Sequence, residues 1–336
     1  MRLNTLLPLL LLFATTVTAA LPTFESPLVP RPLSAYTGAM QSGGPPKDGI
    51  PSIDDPVFRD ASWGDSFLDD GDIVFGIHMN GKARAYPQRI LVWHEIVNDS
   101  INDEAISVTY CPLTGSAVGF YRGDTGLGVS GRLVNSNMVM YDRDTDSYWP
   151  QILAAAIRGP LQGQGLREFR VIWTTWGRWK SRYPETGVLS DRTGYMRNYR
   201  NDPYGGYNPI SGYYKSGSGP LFPLMNKDDR LAPKQTVLGF RTADAAFAVN
   251  LDTLRNKGLL QYKYAGRHFV VVHDPGLDTG WVYRSQDPLD IAPEGVTFGK
   301  NGPDNSVFRE LTQVNAFKVM WFAWGAFYPG TNIIRK

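Results

Sequence analysis

The strongest constraint on this chain is that much of it is written twice. Ile73-Val74-Phe75-Gly76-Ile77 opens one ordered series, and Thr236-Val237-Leu238-Gly239-Phe240 opens another. In the same register, Ala83-Arg84-Ala85-Tyr86-Pro87 matches Ala246-Phe247-Ala248-Val249-Asn250, and Val108-Thr109-Tyr110-Cys111-Pro112 matches Val271-Val272-His273-Asp274-Pro275. Each series reaches a Tyr-Arg pair, Tyr121-Arg122 and Tyr283-Arg284. Each closes on W-x-x-W-x-x-x-Y-P, Trp176 to Pro184 and Trp321 to Pro329. Ordered matches with a shared ending predict a tandem duplication of one supersecondary unit.

The pattern within one copy sets the fold class. Val74 to His78 and Ala83 to Tyr86 read as a hairpin across Asn80-Gly81, a type I′ turn signal. Pro87 suits the first turn of a short helix reaching Val97, with Ile90, Trp93 and Val97 on one face. Two strands, Ala105 to Tyr110 and Ala117 to Tyr121, flank Cys-Pro-Leu-Thr-Gly, and a further pair, Met138 to Asp142 and Ser147 to Ile152, flanks an Asp-rich turn. A strand from Arg170 to Thr174 precedes a helix capped by Thr174 or Thr175 that buries Trp176, Trp179 and Tyr183. The expected class is α+β, mainly antiparallel sheet with short helices, in two tandem degenerate repeats.

The remaining segments give the domain plan. Arg2, the apolar run Leu6 to Val17 and Val17-Thr18-Ala19 read as a signal peptide over 1–19, so a periplasmic or secreted protein is expected. No cysteine follows for a lipid anchor, and no later segment has the length of a membrane span. A Pro-rich arm, 20–64, is expected to wrap the surface without regular structure. The first copy spans 65–190, a Gly/Tyr-rich linker 191–234, and the second copy 235–336. A formal net charge of +2, with basic residues scattered, argues against nucleic acid as a partner.

Cys111 is the single cysteine, so no disulfide within the chain can hold it. It ends a strand at a Pro-Gly turn, a place where side chains are often exposed at a sheet rim. His94, on the apolar side of the preceding helix, is the candidate partner. A thiol beside an imidazole makes a thiolate nucleophile, with Glu95 or an asparagine orienting the ring. The same pair suits a copper or zinc ion, with Met138 or Met140 completing the site. The plain alternative is a packed cysteine and a satisfied core histidine. The second copy has Asp274 in place of Cys111 and no histidine near Asn256-Lys257-Gly258, so both members of the pair are missing together.

Asn135, Asn137, Tyr141, Asp142, Arg143 and Trp149 form a second polar group. Alternation along Asn135, Asn137, Val139 and Tyr141 puts these on one face of a strand, suited with its aromatic flank to a small ligand, sugar or peptide. Asp142 to Asp146 reads more simply as a solvated turn. Asp142-x-Asp144-x-Asp146 resembles the start of a calcium loop, but Ser147 and Leu153 stand where such a loop needs Gly and Glu. No phosphate-binding loop, nucleophile elbow or His-Glu-x-x-His pair occurs. The linker tyrosines suit either sugar stacking or the cementing of two domains.

Trp93-His94-Glu95-Ile96-Val97-Asn98-Asp99, Tyr110-Cys111-Pro112-Leu113-Thr114-Gly115, Asn135-Ser136-Asn137, Tyr141-Asp142-Arg143 and Asp228-Asp229-Arg230-Leu231 together resemble the uncharacterised DUF3179 family. The resemblance implies an exported protein and brings no reaction with it. Members of that family often carry C-P-L-C-G, and Thr114 here stands against a two-cysteine redox or zinc mechanism. Three functional expectations follow: a metal or small-ligand site at Cys111 and His94, a cysteine-dependent hydrolase or transferase for exported acyl or peptidyl groups, and a module binding a glycan, protein or envelope component.

Overall fold

The computed structural model describes residues 20–335; the expected signal peptide lies outside them. Each half begins with the expected hairpin. Ile73–Met79 pairs with Lys82–Pro87, and both turn residues, Asn80 and Gly81, are left-handed at φ 50° and 78°, as a type I′ turn requires. Ile172–Thr175 flanks this hairpin antiparallel on one side, and Gly187–Leu189 flanks it parallel on the other. In the second half Thr236–Arg241 and Ala246–Asn250 form the central pair, with Ala316–Met320 antiparallel and Asn332–Ile334 parallel outside them.

A second sheet in each half follows the same rule. Glu168–Phe169, Ser116–Tyr121, Glu104–Cys111 and Ile96–Ile101 lie side by side in that order, as do Thr312–Val314, Thr279–Ser285, Arg267–Asp274 and Leu259–Tyr264. The first half adds a sheet of Tyr148–Pro150, Asn137–Asp142, Leu127–Val134 and Gln41–Ser42. With short helices between, the architecture is α+β and mainly antiparallel.

The repeated glycine and the repeated W-x-x-W explain one another. Trp179 lies on Gly76 so closely that a Cβ there would come within 2.1 Å of the ring, and Trp324 lies on Gly239, where the approach is 2.5 Å. Only glycine admits an indole at this distance. Each indole also donates to a hydroxyl at 3.0 Å, Trp179 to Thr186 and Trp324 to Thr331. A buried Trp is thereby both packed and hydrogen-bonded, as its N–H demands.

Two local expectations differ from the structure. The helix after Pro87 covers only Gln88–His94, because Glu95 turns left-handed (φ 59°) and the chain leaves as the strand Ile96–Ile101, carrying Val97 with it. The arm is not devoid of regular structure: Leu33–Gly38 is helical and Gln41–Ser42 joins a sheet. Thr175 precedes the helix Trp176–Arg182, but its side chain makes no capping bond. No helix among the described residues is long and apolar enough to cross a membrane.

One apolar cluster joins the halves: Cys111, Met138 and Trp149 share it with Phe317, Trp321 and Trp324. Cys111 thus lies in the seam of the molecule.

Candidate functional site

Cys111 is the last residue of its strand, paired with Ser116 across the Pro-Leu-Thr-Gly turn. It is not at an exposed rim. The residue is fully buried, because the hairpin turn Asn135-Ser136 and the linker close over the sheet end. Its sulfur accepts from the Met138 backbone N–H at 3.4 Å and faces the Ser136 carbonyl at 3.8 Å. Burial first, and then the neighbouring Glu95, push the thiol up to about 11. At neutral pH it is a thiol and not a thiolate.

His94 is placed elsewhere. Its Nδ1 lies 2.8 Å from the Pro51 carbonyl, which only accepts, so this nitrogen carries the proton. Nε2 then accepts from the Tyr199 hydroxyl at 2.7 Å, and that hydroxyl in turn meets Thr193. Burial holds the imidazolium below the usual histidine range. With both nitrogens engaged and no hydrogen bond to Cys111, the expected Cys111–His94 pair is replaced by a histidine that anchors the linker. Among the described residues no three His, Cys, Asp or Glu side chains are grouped so as to hold a metal ion.

The charge that bears on the thiol is that of Glu95. Glu95 is the residue after the helix, its N–H bonded to Leu91 and its carbonyl receiving the Tyr110 N–H. The side chain is only 6% exposed. Among the described residues no hydrogen bond reaches its carboxyl, and burial alone raises it to about 8. Tyr204 of the linker is the third member: its hydroxyl also lacks a hydrogen bond, and after burial itself the charges of Glu95 and then Cys111 push it up.

Other linker tyrosines wall this centre. Tyr213 donates to the Leu113 carbonyl at 2.7 Å. Tyr207 stacks on Tyr214 with centroids 4.0 Å apart, and its hydroxyl meets that of Tyr110 at 3.2 Å. Gln88 and Tyr214 both donate to Asp202, at 2.8 and 3.0 Å. Of the two readings of these tyrosines, covering and cementing describes the geometry.

The second polar group is not a surface. Asn135, Asn137, Asp142 and Trp149 are buried, and Tyr141 is 5% exposed; Arg143 alone is open to solvent. Asp142 closes its own turn, accepting from Thr145 N–H, Ser147 N–H and the Trp149 indole. Tyr141 donates to Asp48 of the arm at 2.6 Å. Asn137 binds Thr114 and Gln151 and accepts from Ile152 N–H. These residues brace the floor under Cys111 instead of presenting a ligand face, because the third sheet packs inward on both sides. Asn135 accepts from Met225 N–H and so clasps the linker.

Sequence reasoning gave Glu95 only a supporting part. The signal for more lay in the repeat: Gly258 stands at the corresponding helix end, with the same bonds to Leu254 and His273. A charged side chain occupies a place where its counterpart is glycine.

Residues 47–331 match the model of the family described as a protein of unknown function, DUF3179, and the chain belongs to that family. No curated protein and no solved structure matches it.

Proposed function

We propose that the first half binds a small organic ligand presenting a hydrogen-bond donor, an amine or amide, to Glu95, with Cys111 and Tyr204 completing the site. The observation that carries this reading is a buried carboxyl with no partner, on left-handed backbone, beside the only thiol. Both features cost stability, and glycine at this position would remove both. Such costs are characteristic of binding and catalytic sites. The surrounding tyrosine rings suit an ammonium group through their negative faces. The linker covers the centre, so the ligand enters when the 201–214 segment lifts.

Thermal unfolding with a methylamine-to-butylamine series and with acetamide tests this. At least one member should raise Tm in the wild type and lose that effect in Glu95→Gln and Tyr204→Phe. If none acts, or if Glu95→Gln responds fully, the reading is wrong. A metal site at Cys111 predicts instead that zinc or copper(I) protects the wild type but not Cys111→Ser.

The descent of the two halves by duplication, with the second kept for structure, belongs to the same proposal; their matching strand orders support it. So does export, supported by the pattern of the first 19 residues. The mass of the protein purified from its native host should then correspond to a chain starting at Ala20 or Leu21.

A further inference from the structure

We propose that the cleft between the two halves, which shares Tyr207 with the wall of the Glu95 centre, is a second binding site for a small organic monocarboxylate with an apolar body. The cleft encloses about 350 Å³, within the range of small-molecule sites. The first half contributes Ile73, Trp173 and Thr174, and the second contributes Leu251, Lys318 and Met320. The apolar members form a wall for a hydrocarbon or ring. The polar members set the charge.

Three cations line the cleft against two carboxylates, a surplus of one positive charge; Arg255 bonds both carboxylates, Asp252 at 2.8 Å and Asp278 at 2.9 Å. The other two have no carboxylate in hydrogen-bond contact. Arg178 bonds only the backbone carbonyls of Pro275 and Gly276, and Lys318 only the Asp278 carbonyl at 2.9 Å. Burial draws the Lys318 ammonium down to about 8, against the opposing pull of Asp278, so it remains charged at neutral pH. A carbonyl satisfies an N–H but not a positive charge, so the cleft favours an anion.

Thr174 supplies the independent observation. The residue is buried and lines the cleft, yet its hydroxyl has no hydrogen-bond partner among the described residues. Buried hydroxyls are ordinarily satisfied, and a ligand oxygen in the cleft would meet this one. One carboxylate, two cations, one hydroxyl and an apolar wall define the ligand class.

Calorimetric titration of the full chain with hexanoate and with benzoate tests the site, with hexanamide and inorganic phosphate as controls. A carboxylate should bind at least tenfold more tightly than hexanamide. Lys318→Met should weaken carboxylate binding at least tenfold, and Thr174→Val by several-fold. If Lys318→Met does not fold, the exposed Arg178→Leu serves in its place. Glu95→Gln should leave carboxylate binding unchanged, which separates this site from the tyrosine-covered one. Equal binding of acid and amide, binding of phosphate without either carboxylate, indifference to both cation variants, or no binding at all would overturn the proposal.

Discussion

The two halves treat the same two positions in opposite ways. Where the first half ends its central strand in Cys111, the second ends it in Asp274, equally buried. Asp274 is fully provided for: Arg182 lies at 3.0 Å, and the Gly276 and Leu277 N–H groups donate to it. Where the second half ends its helix on Gly258, the first uses Glu95, strained and unpartnered. One half satisfies a buried charge and leaves its turn relaxed. The other accepts a buried acid and backbone strain together. The difference separates a region built for stability from one in which stability is spent on something else.

The largest test of this contrast is the pH dependence of Glu95. Its carboxyl titrates near 4.5 unfolded and at about 8 folded. The folded state therefore holds a proton that the unfolded state releases, and stability falls as pH rises from 4.5 to 8. With 1.36 kcal/mol per unit, the loss is on the order of 5 kcal/mol at pH 8. Glu95→Gln should recover most of it at pH 8 and little at pH 4, by denaturant unfolding at both values. A gain independent of pH would break the comparison at its centre.

Next in size is the corresponding change in the second half. Asp274→Ala strands the half-buried Arg182 and two backbone donors, and should cost about 3 kcal/mol. That loss should appear in denaturant unfolding at pH 7, opposite in sign to the gain expected from Glu95→Gln at pH 8. Unfolding curves that change in the same sense for both variants would remove the distinction between the halves.

Backbone strain is the smaller effect. At pH 4, where the Glu95 carboxyl is neutral in both states, Glu95→Gly should change stability by no more than about 1 kcal/mol, relief of left-handed strain offsetting the entropy of glycine. Gly258→Ala should destabilise by at least about 1 kcal/mol, since φ is 70° and the new Cβ would come within 2.8 Å of Pro293. Chevron or equilibrium unfolding resolves both. Finally, iodoacetamide should modify native Cys111 far more slowly than free cysteine, because the thiol is buried and pushed up to about 11. Rapid modification at pH 7 would restore the thiolate reading.

Much of the fold was legible because it depends on neighbours in the chain. The Asn80-Gly81 turn, the strands on either side of Cys111, and the burial of Trp176, Trp179 and Tyr183 all follow from short-range pattern. The site was legible only in part. Cys111 and Glu95 are legible as candidates, but local spacing offers His94, beside Glu95, as the partner of the thiol. Helical spacing says which side of a helix a residue occupies. It does not say that Tyr199 and Pro51, distant in the chain, will take both nitrogens of His94. The group from Asn135 to Trp149 failed for a related reason: alternation marks one face of a strand, and here both faces are covered.

By itself the sequence determined the α+β elements and the presence of one unpaired thiol, both properties carried by residue type and local spacing. The tertiary structure decided which polar groups find partners. That depends on where the linker returns across the first half, and hydrogen bonds form only at contact distance. His94 is satisfied by that return, through Tyr199, whereas Asp142 is satisfied within its own turn and Asp274 by its own turn and Arg182. Glu95 is not, because among the described residues the chain brings no donor within hydrogen-bond distance of its carboxyl.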